Sequence, residues 1–183
     1  IDITDVDDVW LGNGVSELIQ VALNALLNEG DEVLIPAPDY PLWTASTSLS
    51  GGNPVHYLCD ESNGWMPDMD DIRAKVSDRT KAIVIINPNN PTGTMISYND
   101  IIELQSKLPS NVLLVIDEAY AEYVKDENYK NYFELVNNNL ILTKEEIESS
   151  YKRNGEFIFN LLNDISIGGV ISPVISDIEK EIN

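Results

Sequence analysis

Cysteine and basic residues are scarce in this chain of 183 residues, and both scarcities narrow its possible functions. The single cysteine, Cys59, excludes an internal disulfide and fits a reducing compartment, so we expect a cytoplasmic location. Lysine and arginine together number 11 against 31 acidic residues, which gives a formal net charge of −20. An acidic chain of this kind repels phosphate backbones and anionic lipids, so we expect neither nucleic acid nor a membrane as a partner.

Long hydrophobic runs are also absent. No apolar stretch approaches the ~18 residues that a membrane-spanning helix needs. Hydrophobic residues still make up 43% of the chain, enough for a sizeable core in one domain, or one domain with an appendage. The sequence opens at Ile1 without a methionine or a leader, so we expect it to be cut from a longer protein.

Short apolar strands alternate with helices along the first 143 residues. Helical periodicity between Leu18 and Leu27 predicts a helix, with Ser16 or Asn13 as its cap. A strand over 33–35, closed by Pro36, comes next. This alternation predicts an α/β fold, a three-layer sandwich with a mainly parallel sheet.

The pattern changes after Thr143. The segment Thr143-Lys144-Glu145-Glu146 is a capping box, so a helix should begin at Lys144. We therefore expect two parts, a core domain over 1–143 and a divergent helical tail over 144–183 with no evident site.

Polar residues follow two buried strands, over 82–86 and 112–116, at the edge where such a sheet presents its chemistry. The first strand runs into Asn87-Pro88-Asn89-Asn90-Pro91-Thr92-Gly93, and the second into Asp117-Glu118-Ala119-Tyr120. A carboxylate at the end of a buried strand needs a cation or a strong donor, because burial without one is costly. A protonated pyridine nitrogen would be such a partner for Asp117.

Two further segments suit a planar phosphate ligand. Gly12-Asn13-Gly14-Val15-Ser16-Glu17 opens a helix, whose first N–H groups and positive dipole end favour an anion. A dinucleotide fingerprint would need a third glycine where Glu17 stands, so a nucleotide-binding module is an alternative with weaker support. Tyr40 is held between Pro38 and Pro41 and could stack on a ring, although a lone tyrosine is more often a packing residue.

Taken in this order, the segments resemble the fold-type I (class I and II) aminotransferases, which use pyridoxal 5'-phosphate. The resemblance covers residues 5 to about 143. The first half, including Ala37-Pro38-Asp39-Tyr40-Pro41-Leu42-Trp43, looks most like alanine aminotransferases, whereas residues 94–143 look more like histidinol-phosphate aminotransferases. The resemblance implies amino-group transfer between an amino acid and a 2-oxo acid, by a homodimer. It also implies an arm before residue 1 and a small domain beyond the tail.

The resemblance also assigns roles to single residues. Backbone N–H groups of Asn13, Gly14 and Val15 would hold the cofactor phosphate. The ring would be held by four side chains: Tyr40 stacked on it, Asp117 at its nitrogen, and Asn90 and Tyr120 at its phenolic oxygen. Of these, Tyr40 and Asp117 would also take part in catalysis. The Asn90–Pro91 peptide bond would be cis.

The chain departs from the family where the Schiff-base lysine should stand. That lysine normally lies in a Ser-x-Ser-Lys-like loop after the strand equivalent to Leu140-Ile141-Leu142, but here Thr143 and Lys144 follow, and Glu148 falls near the expected position. Lys144 could be a surrogate, or only a solvated lysine in a first helical turn. The chain is therefore read as a partial transaminase, with a catalytically dead remnant or recombined fragment as the alternative.

No metal site is expected. His56 and Cys59 are three residues apart on a predicted strand, so their side chains should point to opposite faces of the sheet.

Overall fold

The computed structural model describes residues 11–126, 129, 130 and 132. Within them a five-stranded sheet has the order β3-β2-β1-β4-β5. Neighbouring strands pair in parallel, except that β3 runs antiparallel to β2. The strands are β1 (Glu32–Ala37), β2 (Asn53–Asp60), β3 (Met66–Pro67), β4 (Thr80–Ile86) and β5 (Leu113–Asp117). The helices are α1 (Val15–Leu26), α2 (Pro41–Leu49), α3 (Met69–Lys75) and α4 (Tyr98–Lys107).

The core forms two layers, one on each face of the sheet. Alternate residues of the central strands point to opposite faces, so Leu34 lies in one cluster while Val33 and Ile35 lie in the other. The Val33 cluster includes apolar side chains of α1 and α2, and the Leu34 cluster includes those of α3 and α4. Helices thus cover both faces of a mainly parallel sheet, which confirms the predicted α/β sandwich.

Strand β1 extends past the residue that should have ended it. The sequence predicts closure at Pro36, but the strand continues to Ala37, and Pro36 pairs with Tyr57 of β2. The ladder with β4 covers only Glu32, Val33 and Leu34. Pro36 has no N–H to donate, but this removes no hydrogen bond from the β1–β4 ladder. The strand can therefore continue through Pro36.

The outer edge of β2 is covered by side chains of α3. Leu58 N–H donates to Asp71 Oδ2 at 2.7 Å, and Lys75 Nζ donates to the His56 carbonyl at 2.7 Å. Lys75 and Asp71 also pair with each other at 2.6 Å. Polar groups that a strand edge would leave unpaired are therefore satisfied within the chain.

Several predictions fall on residues outside the described ranges. These are the strand over 140–142, Lys144, and the boundary between the core and the tail over 144–183. Within the described ranges, no helix is both long enough and apolar enough to cross a membrane.

Candidate functional site

The ends of β4 and β5 bring three predicted site residues to one edge of the sheet. Ile86 pairs with Asp117 in the parallel ladder, and Asn87 N–H donates to the Asp117 carbonyl at 2.9 Å. Beyond these strand ends, the Asn90 amide donates to the Tyr120 hydroxyl at 3.3 Å. Asn90, Asp117 and Tyr120 therefore share the carboxyl edge of the sheet, as the sequence predicts.

Both oxygens of the Asp117 carboxylate have donors from the chain. The residue is only 8% exposed. Oδ2 accepts from the Trp43 indole nitrogen at 2.9 Å, and Oδ1 accepts from the Ala119 N–H at 3.1 Å. These bonds satisfy the buried charge and orient it. Because each carboxylate oxygen has two lone pairs, Asp117 can still accept a further proton donor.

Tyr40 is tied to the same carboxylate through Trp43. Tyr40 caps the start of α2, and its carbonyl accepts from the Trp43 N–H at 3.1 Å. The Tyr40 ring is half-buried against the cluster that contains Trp43, which is 4% exposed. The sequence pattern assigns Trp43 no role, because nothing local signals a partner 74 positions away. The structure adds it as the link between the Tyr40 turn and Asp117.

A fully buried amide closes the turn that carries Asn90. Asn87 Oδ1 accepts from the Ile96 N–H at 2.9 Å, and Asn87 Nδ2 donates to the Ile96 carbonyl at 3.0 Å. The same nitrogen donates to the Tyr132 hydroxyl at 2.8 Å. Burial raises the pKa of Tyr132, so its hydroxyl stays protonated over the physiological range. The turn is thereby clamped at both ends, and its Asn90–Pro91 bond is cis.

The glycine turn before α1 differs from its predicted capping. Gly14 is the capping residue, with φ of 80°, and no side chain caps the helix, so Ser16 and Asn13 do not have the predicted role. A positive φ favours glycine, which explains why Gly14 takes this position. Instead, the Asn13 N–H donates to Glu17 Oε2 at 2.6 Å, and the Gly14 N–H donates to the Gly12 carbonyl at 2.8 Å.

The start of α1 nevertheless faces the same edge as Asp117. Residues 27–31 connect the end of α1 directly to the start of β1, so the helix runs antiparallel to the strand on which it packs. Its amino terminus therefore lies at the carboxyl edge of the sheet. First-turn N–H groups such as those of Val15 and Ser16 have no acceptor within a helix. A Cβ placed on Gly14 would meet no atom within 4 Å, so the space beside it is open.

A cavity of about 510 Å³ opens beside the Asn90 turn. Its lining includes Asn90, Pro91, Tyr120, Tyr123 and Lys125. The cavity adjoins the Asn90–Tyr120 pair, but Asp117, Tyr40 and Trp43 do not line it. Among the residues that the structure describes, no group of three or more His, Cys, Asp or Glu side chains could hold a metal ion.

Comparison with known proteins identifies the family. The family model described as aminotransferase class I and II matches residues 1–147. An alanine aminotransferase of Mycobacterium bovis is 59% identical over 126 residues, covering 67% of this chain and 29% of that protein. The glutamate-pyruvate aminotransferase AlaA of Escherichia coli K12 is 48% identical over 165 residues, covering 87% of this chain and 40% of that protein.

A solved structure gives the same result. The crystal structure of an aminotransferase from Escherichia coli has 55% sequence identity and a TM-score of 0.63. The match covers 69% of this chain and 32% of that one. The chain spans well under half the length of these relatives, and the relatives support the predicted alanine aminotransferase-like first half. By its family match, its relatives and its fold, the chain belongs to the class I and II aminotransferases.

Proposed function

We propose that the core domain binds pyridoxal 5'-phosphate and supplies the ring-holding half of a transaminase site. The reaction is amino-group transfer between an amino acid and a 2-oxo acid. The observation that carries the proposal is the meeting of Asn90, Tyr120 and Asp117 at one sheet edge, with Trp43 holding the carboxylate.

The residues at the sheet edge fit the ring of this cofactor in charge and in hydrogen bonding. Asp117 remains able to accept from a protonated ring nitrogen, and it would keep that nitrogen protonated. Asn90 and Tyr120 offer donors for the phenolic oxygen, and Tyr40 offers a ring from the neighbouring turn. Val15, with Asn13 and Gly14, would hold the phosphate at the start of α1. This requires the Asn13 N–H to leave Glu17 Oε2 and the Gly14 N–H to leave the Gly12 carbonyl. When bound, the cofactor supplies an electron-withdrawing ring.

The relatives favour particular substrates. Both curated relatives described above are named as alanine or glutamate-pyruvate aminotransferases. We therefore infer alanine as amino donor and 2-oxoglutarate as acceptor. Histidinol phosphate is the alternative donor that the sequence of the second half suggests. A cytoplasmic location and a homodimer stay predictions.

The test is to equilibrate the purified full chain with pyridoxal phosphate and, separately, with NAD. Thermal stabilisation and a saturable spectral change with pyridoxal phosphate alone are expected. Stabilisation by NAD alone would instead support a nucleotide-binding module and refute the proposal.

Activity distinguishes a transaminase from an inactive remnant. Pyruvate formation from alanine and 2-oxoglutarate, measured on the cofactor-loaded chain, is expected if the chain is a working enzyme. Saturable cofactor binding without amino transfer from alanine, glutamate or histidinol phosphate would show a remnant that has kept only the binding site.

Lys144 can be tested directly as the surrogate lysine. The cofactor-loaded chain is reduced with borohydride, digested, and mapped by mass spectrometry. A stoichiometric adduct at Lys144, abolished in Lys144→Arg, is expected of a surrogate. An unmodified Lys144 would remove that role.

A further inference from the structure

A second polar network lies behind the Tyr40 turn. The Thr44 hydroxyl donates to Asp39 Oδ2 at 2.7 Å and lies 2.9 Å from His56 Nε2. A hydroxyl has one hydrogen, and Thr44 gives it to a carboxylate that can only accept. His56 Nε2 must therefore carry a hydrogen and donate to Thr44 Oγ1. His56 Nε2 also lies 3.8 Å from Asp39 Oδ2. The order of donation is His56 to Thr44 to Asp39.

The backbone of His56 is held in place on both sides of its strand, β2. On one side it pairs with Ile35 in the β1–β2 ladder. On the other, its carbonyl accepts from Lys75 Nζ, which is itself paired with Asp71 of α3. The charged groups around His56 are thus Asp39 from the turn, and Lys75 with Asp71 from α3.

Asp39 is the member of the network that lies next to a residue of the functional site. It precedes Tyr40 directly, within the turn between β1 and α2. Thr44 lies in the first turn of α2, one residue after Trp43, which binds Asp117. The network therefore connects strand β2 to the turn that carries Tyr40 and to the first turn of α2, which carries Trp43.

We propose that His56, acting through Thr44 and Asp39, is a positioning residue for Tyr40. The inference rests on the proposed function, because Tyr40 matters only if a ring stacks on it. His56 itself would not touch the cofactor. The side chains of Asp39 and His56 are 17% and 38% exposed, so the Thr44–Asp39 hydrogen bond is partly shielded from water, whereas His56 is more open to it.

The first test needs no cofactor. His56→Leu removes the donor, whereas His56→Gln keeps an N–H near the position of Nε2. Hydrogen–deuterium exchange of the peptide covering 37–45 is expected to accelerate by about fivefold in the leucine variant and to stay within about twofold of wild type in the glutamine variant. Circular dichroism checks that both variants fold. Unchanged exchange in a folded leucine variant would overturn the proposal.

The second test couples His56 to Tyr40. The dissociation constant of pyridoxamine 5'-phosphate is measured for wild type, His56→Leu, Tyr40→Ala and the double variant. His56→Leu is expected to weaken binding by about threefold to tenfold when Tyr40 is present, and to change it little in the Tyr40→Ala background. Equal losses in both backgrounds would show that His56 does not act through Tyr40 and would overturn the inference.

The two tests separate failure of this inference from failure of the proposed function. If the wild-type chain binds no pyridoxamine phosphate, the proposed function is wrong, and the exchange rates alone decide whether His56 holds the turn. If wild type binds and the glutamine variant exchanges as fast as the leucine variant, the donor role of His56 is wrong while the cofactor site stands.

Discussion

The indole nitrogen of Trp43 lies 2.9 Å from Oδ2 of Asp117, and both side chains are buried. This bond joins the first turn of α2 to the end of β5. It orients the carboxylate through Oδ2 and leaves further lone pairs on both oxygens free to accept from a ligand. Two parts of the proposed site, the Tyr40 turn and the acidic strand end, are thereby held in one arrangement before any ligand binds.

Replacing Trp43 should therefore destabilise the fold as well as the site. Trp43→Phe keeps an aromatic ring but removes the donor to a buried carboxylate, so we expect a loss of about 1.5–3 kcal/mol in the free energy of unfolding. Urea denaturation measures the loss. The matched control is Trp65→Phe, beside β3 at the opposite edge of the sheet, which should cost less than about 0.5 kcal/mol. Equal losses in the two variants would contradict the role given to Trp43.

The buried clamp at Asn87 should be more costly to remove than an exposed amide. Asn87→Ala leaves Ile96 and the Tyr132 hydroxyl without their partners, so we expect a loss of about 2 kcal/mol or more. Asn99→Ala, on the exposed surface of α4, is the control and should lie within about 0.5 kcal/mol of wild type. Thermal or urea unfolding would report both values, and a mild effect at Asn87 would show that the clamp does not hold the turn.

Glu32 should make stability depend on pH in the acid range. The hydrogen bond from Ser77, together with the Arg79 guanidinium, holds the pKa of Glu32 below its ordinary value of 4.5, although burial opposes this. A lowered pKa means that the folded state favours the charged carboxylate, so its contribution is present above pH 4.5 and is lost as the pH falls through the folded-state pKa.

The variant Glu32→Gln isolates this contribution. Its stability deficit relative to wild type should be largest near neutral pH and shrink on acidification, because a protonated Glu32 resembles glutamine. Urea midpoints measured across the range give the deficit, with Glu103→Gln, at an exposed pair, as the control. A deficit that is independent of pH would contradict the assignment.

Cys59 should be chemically inert while the chain is folded. It is 5% exposed, and burial raises the pKa of its thiol to about 11. The thiolate that reacts with disulfide reagents is therefore scarce at about pH 8 and has little access to them. We expect negligible labelling in native buffer and complete labelling in denaturant. Since this is the only cysteine, the reading is unambiguous. Rapid native labelling would contradict the burial of Cys59.

The sequence was most informative where the signal is local. Apolar runs predict both β4 and β5, and the polar residues that follow them lie where a parallel sheet must place them. The run before Asp117 is half-buried, however, and not fully buried as predicted. Asn90, Asp117 and Tyr120 were therefore predicted together, and the structure brings them together. The family resemblance added the expected partners of these side chains on a cofactor, which local patterns alone do not specify.

What the sequence did not reveal depends on contacts between distant positions. Trp43 and Asp117, or Asn87 and Tyr132, meet only after the sheet has formed, and neither pair has a local pattern. The predicted end of β1 at Pro36 is wrong because a proline disrupts a strand only where its missing N–H would have bonded a neighbouring strand. The sequence does not show which neighbour lies on that side. The cap of α1 differs from the predicted one because a glycine turn, with Glu17 taking the Asn13 N–H, replaces a side-chain cap.

The most direct test of the central claim is the affinity of the full chain for pyridoxamine 5'-phosphate. This compound carries the ring and phosphate without an aldehyde, so it cannot form a Schiff base with lysines. Its dissociation constant therefore reports non-covalent binding alone. Equilibrium dialysis should show saturable binding that weakens by about tenfold or more in Asp117→Asn, which removes the charge opposite the ring nitrogen. No saturable binding, or an unchanged dissociation constant in Asp117→Asn, would contradict the account.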